Sequence, residues 1–250
     1  MGEVSQLFSA RADGYAQFRP RYPAPLFDWL AAQCRTHRRA LDIAAGSGQA
    51  SRPLTRHFEQ VLACDASEAQ LRAARPWTGM HPIAADAERL PLAARSADLV
   101  VVAQALHWFA TPEFFAEAER VMAPGGLFCA WCYSLVSLSP PIDALVAELH
   151  GVTLAGYWPE GRASVDAGYR DLTPPFQRLP VPQFAITADW RLEHLLGYLR
   201  TWSAVERWSR QHARDPLAEL EPRLRATWGD PERLHQARWP LHFIAGRPVP

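Results

Sequence analysis

Lysine is absent from all 250 residues. The 26 basic side chains counted without histidine are arginines, and 26 acidic residues balance them. A chain of zero formal charge has no bulk field to draw in nucleic acid or an anionic membrane, so neither is expected as a partner. Long apolar runs are missing too: none approaches the ~18 residues that a bilayer-spanning helix needs. The opening decapeptide MGEVSQLFSA has neither a basic nor an apolar signal region, and Gln6 stands where the myristoylation pattern wants Ser or Thr. These absences make a cytoplasmic enzyme the expectation. Cysteine is scarce. Cys34, Cys64, Cys129 and Cys132 read as free buried thiols. Cys129-Ala-Trp-Cys132 has zinc-type spacing but lies in an apolar segment that reads as a strand, where residues three apart face opposite sides. No second Cys/His pair stands nearby, so no metal is expected. What is present is ordinary: 48% apolar and 21% charged residues, enough chain for one large α/β domain.

The organising stretch is Ala40 to Gly48. The apolar run Leu41–Ala45 carries one acid, Asp42, and breaks at Gly46 and Gly48, and a helix-compatible segment follows over 49–58. That pattern predicts a buried strand, a tight turn and a helix start, where free backbone N–H groups let a ligand approach the main chain. A second apolar run, 61–65, ends in Asp65. Further segments repeat the alternation: a helix over 67–75 capped by Ser67, a short strand 81–85 before Asp86, a β-branched strand 97–103, a helix 112–122, and a strand 127–131 after Pro124-Gly125-Gly126. Alternation at this spacing predicts an α/β fold with a doubly wound, mostly parallel sheet. Ala44–Gly48, Asp65, Asp86 and Gln104 then lie along its ligand-binding edge. Outside this region a helix begins at Pro25, and Ser139 caps another that runs to about residue 154. Residues 155–182 show no periodicity. A strand end falls at 184–187, an amphipathic helix at 192–202, and a final strand within 238–245. The helical part at 190–236 reads as an insertion forming a lid or wall.

Two cofactor classes use a glycine turn after a first strand. Dinucleotide enzymes want G-x-G-x-x-G, but Ser51 stands at the third glycine and Asp42 lies inside the strand. Asp42-Ile-Ala-Ala-Gly-Ser-Gly instead resembles the first motif of class I S-adenosylmethionine-dependent methyltransferases, an acid followed by G-x-G-x-G. Ala44 replaces the first glycine, which the turn tolerates if φ there stays negative. Ala85-Asp-Ala-Glu-Arg-Leu-Pro, Ser96-Ala-Asp-Leu-Val and Val121-Met-Ala-Pro-Gly-Gly-Leu are similar to later segments of the same family, and the likeness covers about residues 38–133. A narrower likeness, to small-molecule methyltransferases of the type 11 and trans-aconitate methyltransferase-like subgroup, rests on Tyr15-Ala-Gln-Phe-Arg-Pro-Arg-Tyr-Pro, Gln104-Ala-Leu-His-Trp-Phe, Tyr157-Trp-Pro-Glu and Tyr198-Leu-Arg-Thr-Trp-Ser.

The resemblance implies a seven-stranded Rossmann-like methyltransferase domain over 1–250, with an N-terminal arm and helix (1–37), a cofactor core (38–133) and a substrate-side segment (134–250). It implies S-adenosylmethionine as cofactor and a small-molecule acceptor. Asp65, with Ala66 beside it, would hold the ribose hydroxyls; Asp86 and Ala87 would meet the adenine. Arg19 would face the methionyl carboxylate, and Gln104 would lie near the methionine with the Ala103 carbonyl. Asp42, a buried acid that must be hydrogen-bonded, is expected to hold the N–H groups of the loop at Ala44, Gly46 and Gly48. His107 is either a satisfied histidine or a general base. Tyr15, Tyr22, Trp108 and Trp158 are candidate acceptor contacts, aromatic faces being favourable beside a sulfonium. Arg162 and Arg200 read as solvated charges, with a substrate carboxylate as the alternative partner. Asp98 reads as a surface acid at a strand start. Two rivals stay open: a protein that binds the cofactor or its demethylated product without catalysis, and a nicotinamide-dependent oxidoreductase.

Overall fold

The β-branched run Ala97–Ala103 is the middle strand of a seven-stranded sheet in the computed structural model, which describes residues 20–73 and 76–249. Its neighbours are β1 (Arg39–Ile43), β2 (Gln60–Asp65) and β3 (Met80–Ala84) on one side. On the other lie β5 (Met122–Cys132), β9 (His242–Pro248) and β6 (Phe176–Arg178), with Ala97–Ala103 itself as β4. The spatial order is β3-β2-β1-β4-β5-β9-β6. Pairing is parallel from β3 to β5 and antiparallel for the last two contacts.

Along β4, Leu99 and Val101 enter one core while Val100 and Val102 enter the other, and all four are buried. A strand covered on both faces is apolar on both, which is why Leu99–Val102 does not alternate. The first core receives Leu26, Phe27 and Leu30 of α1 (Ala24–Ala32). The second receives Phe114, Phe115, Ala118 and Val121 of the helix Pro112–Val121, whose start is fixed by Thr111 Oγ1 accepting the Phe114 N–H at 3.1 Å. Cys129 falls in the first core and Cys132 in the second, on opposite faces of β5.

Several elements differ from the sequence expectation. The helix expected over 49–58 is only Ser51–Leu54 (α2): a helix begun at 49 would need a bond from the N–H of residue 53, which Pro53 lacks, whereas in the first turn of α2 the proline is tolerated. Ser67 does cap the next helix, α3 (Glu68–Ala73): Oγ accepts the Gln70 N–H at 3.3 Å. Ser139 makes no such bond at the start of the helix Pro140–Glu148. Asp143 reaches back instead, accepting from Leu138 N at 2.7 Å and the Ser137 hydroxyl at 2.8 Å. Asp98 is buried rather than a surface acid. It accepts from Thr36 Oγ1 (2.6 Å) and the Arg38 and Arg39 N–H groups (2.8 and 2.9 Å), as burial of a carboxylate demands.

The single last strand expected within 238–245 is two strands. β8 (His235–Pro240) pairs with β7 (Ala185–Trp190) in a separate antiparallel ribbon, and β9 returns to the main sheet. Between β7 and β8 lie helices Leu192–Arg200, Ser203–His212 and Leu220–Trp228, packed through Leu195, Leu196 and Leu199 into the first core with Trp190, Trp202 and Trp239. The edge strand β6 comes from the region without periodicity; three residues are too few to show alternation. Among the described residues no helix is long and apolar enough to cross a membrane.

Candidate functional site

β1 ends at Ile43, and the chain turns through Ala44 (φ +57°), Gly46 (φ +53°) and Gly48 (φ +76°). The negative φ expected at Ala44 is not found. The Ala45 N–H prolongs the ladder to Cys64 O at 2.9 Å, so Ala44 must take the bend itself. An L-residue in the left-handed region costs about 1–2 kcal/mol, strain of the kind that collects beside ligands. Ala44→Gly is therefore expected to raise the melting temperature. The glycine gives back ~0.5–1 kcal/mol in chain entropy, which leaves a gain of about 1–3 °C for a chain of this size. A thermal melt with no rise would show that the turn does not strain Ala44.

Asp42 does not hold the loop N–H groups. Ser51 Oγ donates to its Oδ2, while Oδ1 is buried without a hydrogen-bond partner among the described residues. The loop is held by Asp65, whose Oδ2 accepts the Gly46 N–H at 2.9 Å and whose Oδ1 accepts the Ser67 N–H at 2.8 Å. Which acid reaches the turn depends on the path of the turn, and that path carries Gly46 over β2. Each Asp65 oxygen keeps a lone pair. Burial raises the Asp65 carboxyl above its usual range, opposed by the Ser67 and Gly46 N–H groups. Burial pushes Asp42 up to about 7; the Ser51 hydroxyl opposes this and the Asp65 charge adds to it.

The Asp42 displacement has a sign that can be measured. A carboxyl held above its unfolded value binds its proton more tightly when folded, so stability is greatest below the unfolded value and falls as pH rises towards about 7. The full effect is roughly 4 kcal/mol at most. Asp42→Asn is expected to flatten the decline in unfolding free energy between pH 5 and 8 measured by urea titration; an unaltered slope would place the titration elsewhere.

Beside the turn, Ala66 is exposed, Asp86 is exposed and Ala87 half-buried. The Ala85 N–H donates to Asp65 O at 3.2 Å, which brings the segment after β3 to the acid ending β2. Gln104 (φ +58°) follows β4 at the same edge, but its amide is spent on β5's end. Nε2 donates to Tyr133 O at 3.0 Å and Oε1 accepts the Tyr133 N–H at 2.8 Å. A side-chain role for Gln104 at the methionine therefore gives way to a bridging one, with its main chain at the edge.

A second group of side chains gathers past β4. The 3₁₀ turn Leu106–Trp108 carries His107, whose ring lies 4.8 Å from Trp108 and whose Nδ1 is 3.1 Å from Tyr169 Oη. Burial, with the Arg162 charge second, pushes His107 down to about 4. Arg162 is not the solvated charge expected. Its guanidinium lies 4.4 Å over the Trp158 ring and pairs with Asp166 at 2.8 Å, with 19% of its side chain exposed. Trp158 also donates to His150 O at 3.0 Å and stacks on the His150 ring. Arg200 pairs with Glu221 at 2.9 Å in the insertion. Tyr22 packs edge-on against Trp131 at 5.4 Å. Tyr15 and Arg19 lie outside the described residues, and no group of metal-ligating side chains occurs among the described ones. Tyr169, His150, Asp166 and Gly161 were missed by sequence reasoning; they come from segments without periodicity or motif.

A glycine turn tied to an acid at the end of β2, beside a 3-2-1-4-5 parallel core with an antiparallel return, has the form of an α/β domain that binds a nucleotide-type cofactor at the strand ends. The chain matches the methyltransferase domain family over residues 41–130. A solved structure from Anaeromyxobacter dehalogenans, provisionally described as a type II methyltransferase, is 44% identical, with 93% of this chain and 99% of that one covered and a TM-score of 0.87. A Dictyostelium discoideum protein provisionally named a methyltransferase is 29% identical over 96% of this chain and 94% of its own length. An uncharacterized methyltransferase of Mycobacterium bovis is 36% identical, but that match spans about half of each protein. The chain belongs to the S-adenosylmethionine-dependent methyltransferases of class I.

Proposed function

We propose that the protein methylates a small-molecule acceptor bearing a carboxylate or hydroxyl, bound beside the contact of the turn Leu106–Trp108 with the helix Arg162–Asp166. The observation that carries this reading is Arg162: a largely enclosed guanidinium that lies on Trp158 and whose charge bears on both His107 and His150. Asp166 Oδ1 occupies its Nε and Nη2, and that oxygen also accepts from Ser134. Nη1 has no hydrogen bond among the described residues and can meet an anion, and guanidinium–carboxylate bonds are among the strong ones.

The donor side fits S-adenosylmethionine. The free lone pairs of Asp65 suit the ribose hydroxyls, with Ala66 beside them. Exposed Asp86 and the Ala87 N–H suit the adenine, and the turn Ala44–Gly48 brings main chain to the cofactor. Arg19 and Tyr15 of the arm, with Tyr22 and Trp108, complete the proposed enclosure. The cofactor supplies a methyl group on a sulfonium. The chain's own task is to align the acceptor oxygen with that methyl and exclude water, worth as much as ~7–11 kcal/mol. Ala44 in place of the motif's first glycine is the feature that would favour a non-catalytic binder, yet the turn reaches left-handed φ despite the methyl, so it does not speak for that reading.

The test has two arms. Calorimetric titration with S-adenosylmethionine and with NAD reads the cofactor class, and turnover of methyl-labelled S-adenosylmethionine against small carboxylic acids, phenols and amines reads the acceptor. Arg162→Gln is expected to raise KM for acidic acceptors about 10- to 100-fold, the worth of one charged hydrogen bond. Cofactor affinity should hold within about twofold, since Arg162 does not touch the glycine turn. Equal KM values in both proteins would sink the carboxylate pocket; preferential NAD binding would sink the donor.

A further inference from the structure

Tyr169 is buried and unexplained by cofactor binding. It is 1% exposed, and its backbone is left-handed at φ +59°. That conformation costs about 1–2 kcal/mol, so the surroundings must hold it. Its phenol has one proton to give, and among the described residues the acceptor in reach is His107 Nδ1 at 3.1 Å. The backbone N–H groups of Leu106 and His107 act electrostatically on the phenol, opposing the rise that burial gives its pKa. These are the first N–H groups of the 3₁₀ turn, which have no carbonyl partner within it. A buried phenol proton needs an acceptor, and among the described residues His107 Nδ1 is the one in reach, so the hydroxyl proton goes to the imidazole.

We propose that Tyr169 locks His107 as the tautomer protonated on Nε2, so that His107 meets the acceptor as a hydrogen-bond donor and takes no proton from it. His107 is the group that touches the acceptor, and Tyr169 is a positioning residue. Nε2 makes no hydrogen bond among the described residues and is not one of the buried orphan atoms. Gly161 packs close to the ring, where a Cβ would stand 3.1 Å from His107 Cδ2, so only a glycine fits there without pushing the imidazole aside. Arg162, on the helix packed against the turn, is the charge acting on the ring. It opposes protonation, as burial does.

The consequence for substrate class rests on the methyl-transfer reading. With no base at His107, the acceptor arrives already deprotonated, which favours a carboxylate over an alcohol. One carboxylate oxygen forms the new O–CH₃ bond as the S–CH₃ bond breaks, and that bond's electron pair stays on sulfur as a neutral thioether. Nε2–H and Arg162 hold the other oxygen.

The test is a long-range ¹H–¹⁵N correlation spectrum of the full chain labelled at its nine histidines, with the His107 signals identified by their loss in His107→Gln. The expected spectrum shows an unprotonated Nδ1 and a protonated Nε2 from pH 6 to 8. Tyr169→Phe should then give a mixture of tautomers. A proton on Nδ1, or a charged ring in this range, overturns the proposal, and the wild-type spectrum decides even if Tyr169→Phe fails to fold. In turnover, His107→Gln keeps a donor that is no base, and should outpace His107→Leu at least ~10-fold. Equal rates, or a wild-type activity limb rising near pH 6.5 that His107→Gln abolishes, overturn it too. Absence of methyl transfer to any acceptor would defeat the functional reading while leaving the tautomer result standing.

Discussion

Asp65→Ala is expected to weaken S-adenosylmethionine binding by roughly 100-fold or more, because a charged acceptor to a hydroxyl is worth ~1.5–3 kcal/mol per bond and the ribose offers two hydroxyls. The same carboxylate also takes the Gly46 N–H at 2.9 Å and the Ser67 N–H at 2.8 Å. The variant therefore loses both the ribose contact and the tie that holds the glycine turn over β2. Leaving those two N–H groups unmatched costs about 1–3 kcal/mol each, so the melting temperature falls as well. Asp65→Asn separates the two effects. Its amide oxygen still accepts one N–H, so it should restore part of the stability while binding stays weakened by the lost charge. Calorimetry on folded protein, with circular dichroism as the fold check, reads both quantities. A dissociation constant within threefold of the parent in either folded variant would remove Asp65 from the cofactor site.

That Asp65 mattered could be read from its place at the end of an apolar run; what it bonds to could not. Parallel strands buried on both faces leave a plain mark in sequence, which is why β1, β2 and β4 stand out and the acids ending or interrupting them draw notice. Hydrogen-bond partners depend on backbone paths that the fold as a whole sets and no local pattern of residues displays. Ala44 carries no sign that its φ is +57°, and Asp42 and Asp65 differ in which of them lies under Gly46 only once the turn is folded. Gln104 was placed at the right edge, yet its amide is drawn across to Tyr133 by the adjoining strand end. The second group was harder still. Trp158, Gly161, Arg162 and Tyr169 lie in a stretch whose longest regular element there is the five residues Arg162–Asp166, too short for a periodic signal. An arginine in such a stretch looks solvated until a ring and a carboxylate are found beside it. The β7–β8 ribbon was hidden for another reason: β8 and β9 adjoin in sequence with only Leu241 between them, and read as one strand.

Gly161→Ala should do the most damage per atom added, and Gly156→Ala is its control. Both glycines sit in the same left-handed region, at φ +82° and +81°. Alanine at either position therefore carries the same backbone strain of about 1–2 kcal/mol, a loss of roughly 2–8 °C for a chain of this size. Around Gly156 a Cβ meets open space, and strain is the whole effect. At Gly161 it would stand 2.7 Å from the His107 carbonyl oxygen, a backbone atom that cannot swing aside. The turn Leu106–Trp108 and the helix Arg162–Asp166 must then move apart, adding about 1–3 kcal/mol of overpacking. The larger consequence is catalytic. In the proposed pocket His107 and Arg162 would face the acceptor from beside that contact, and a displacement near 1 Å can remove ~100-fold in kcat. Cofactor affinity should be spared, because Gly46, Asp65 and Ser67 form their bonds without either element. The expected pattern is thus a modest melting shift alone for Gly156→Ala, against a larger shift with a collapse of kcat and intact cofactor binding for Gly161→Ala. Equal behaviour of the two variants would mean that the turn yields to a methyl at 161, and that the packing of this helix does not set the position of His107.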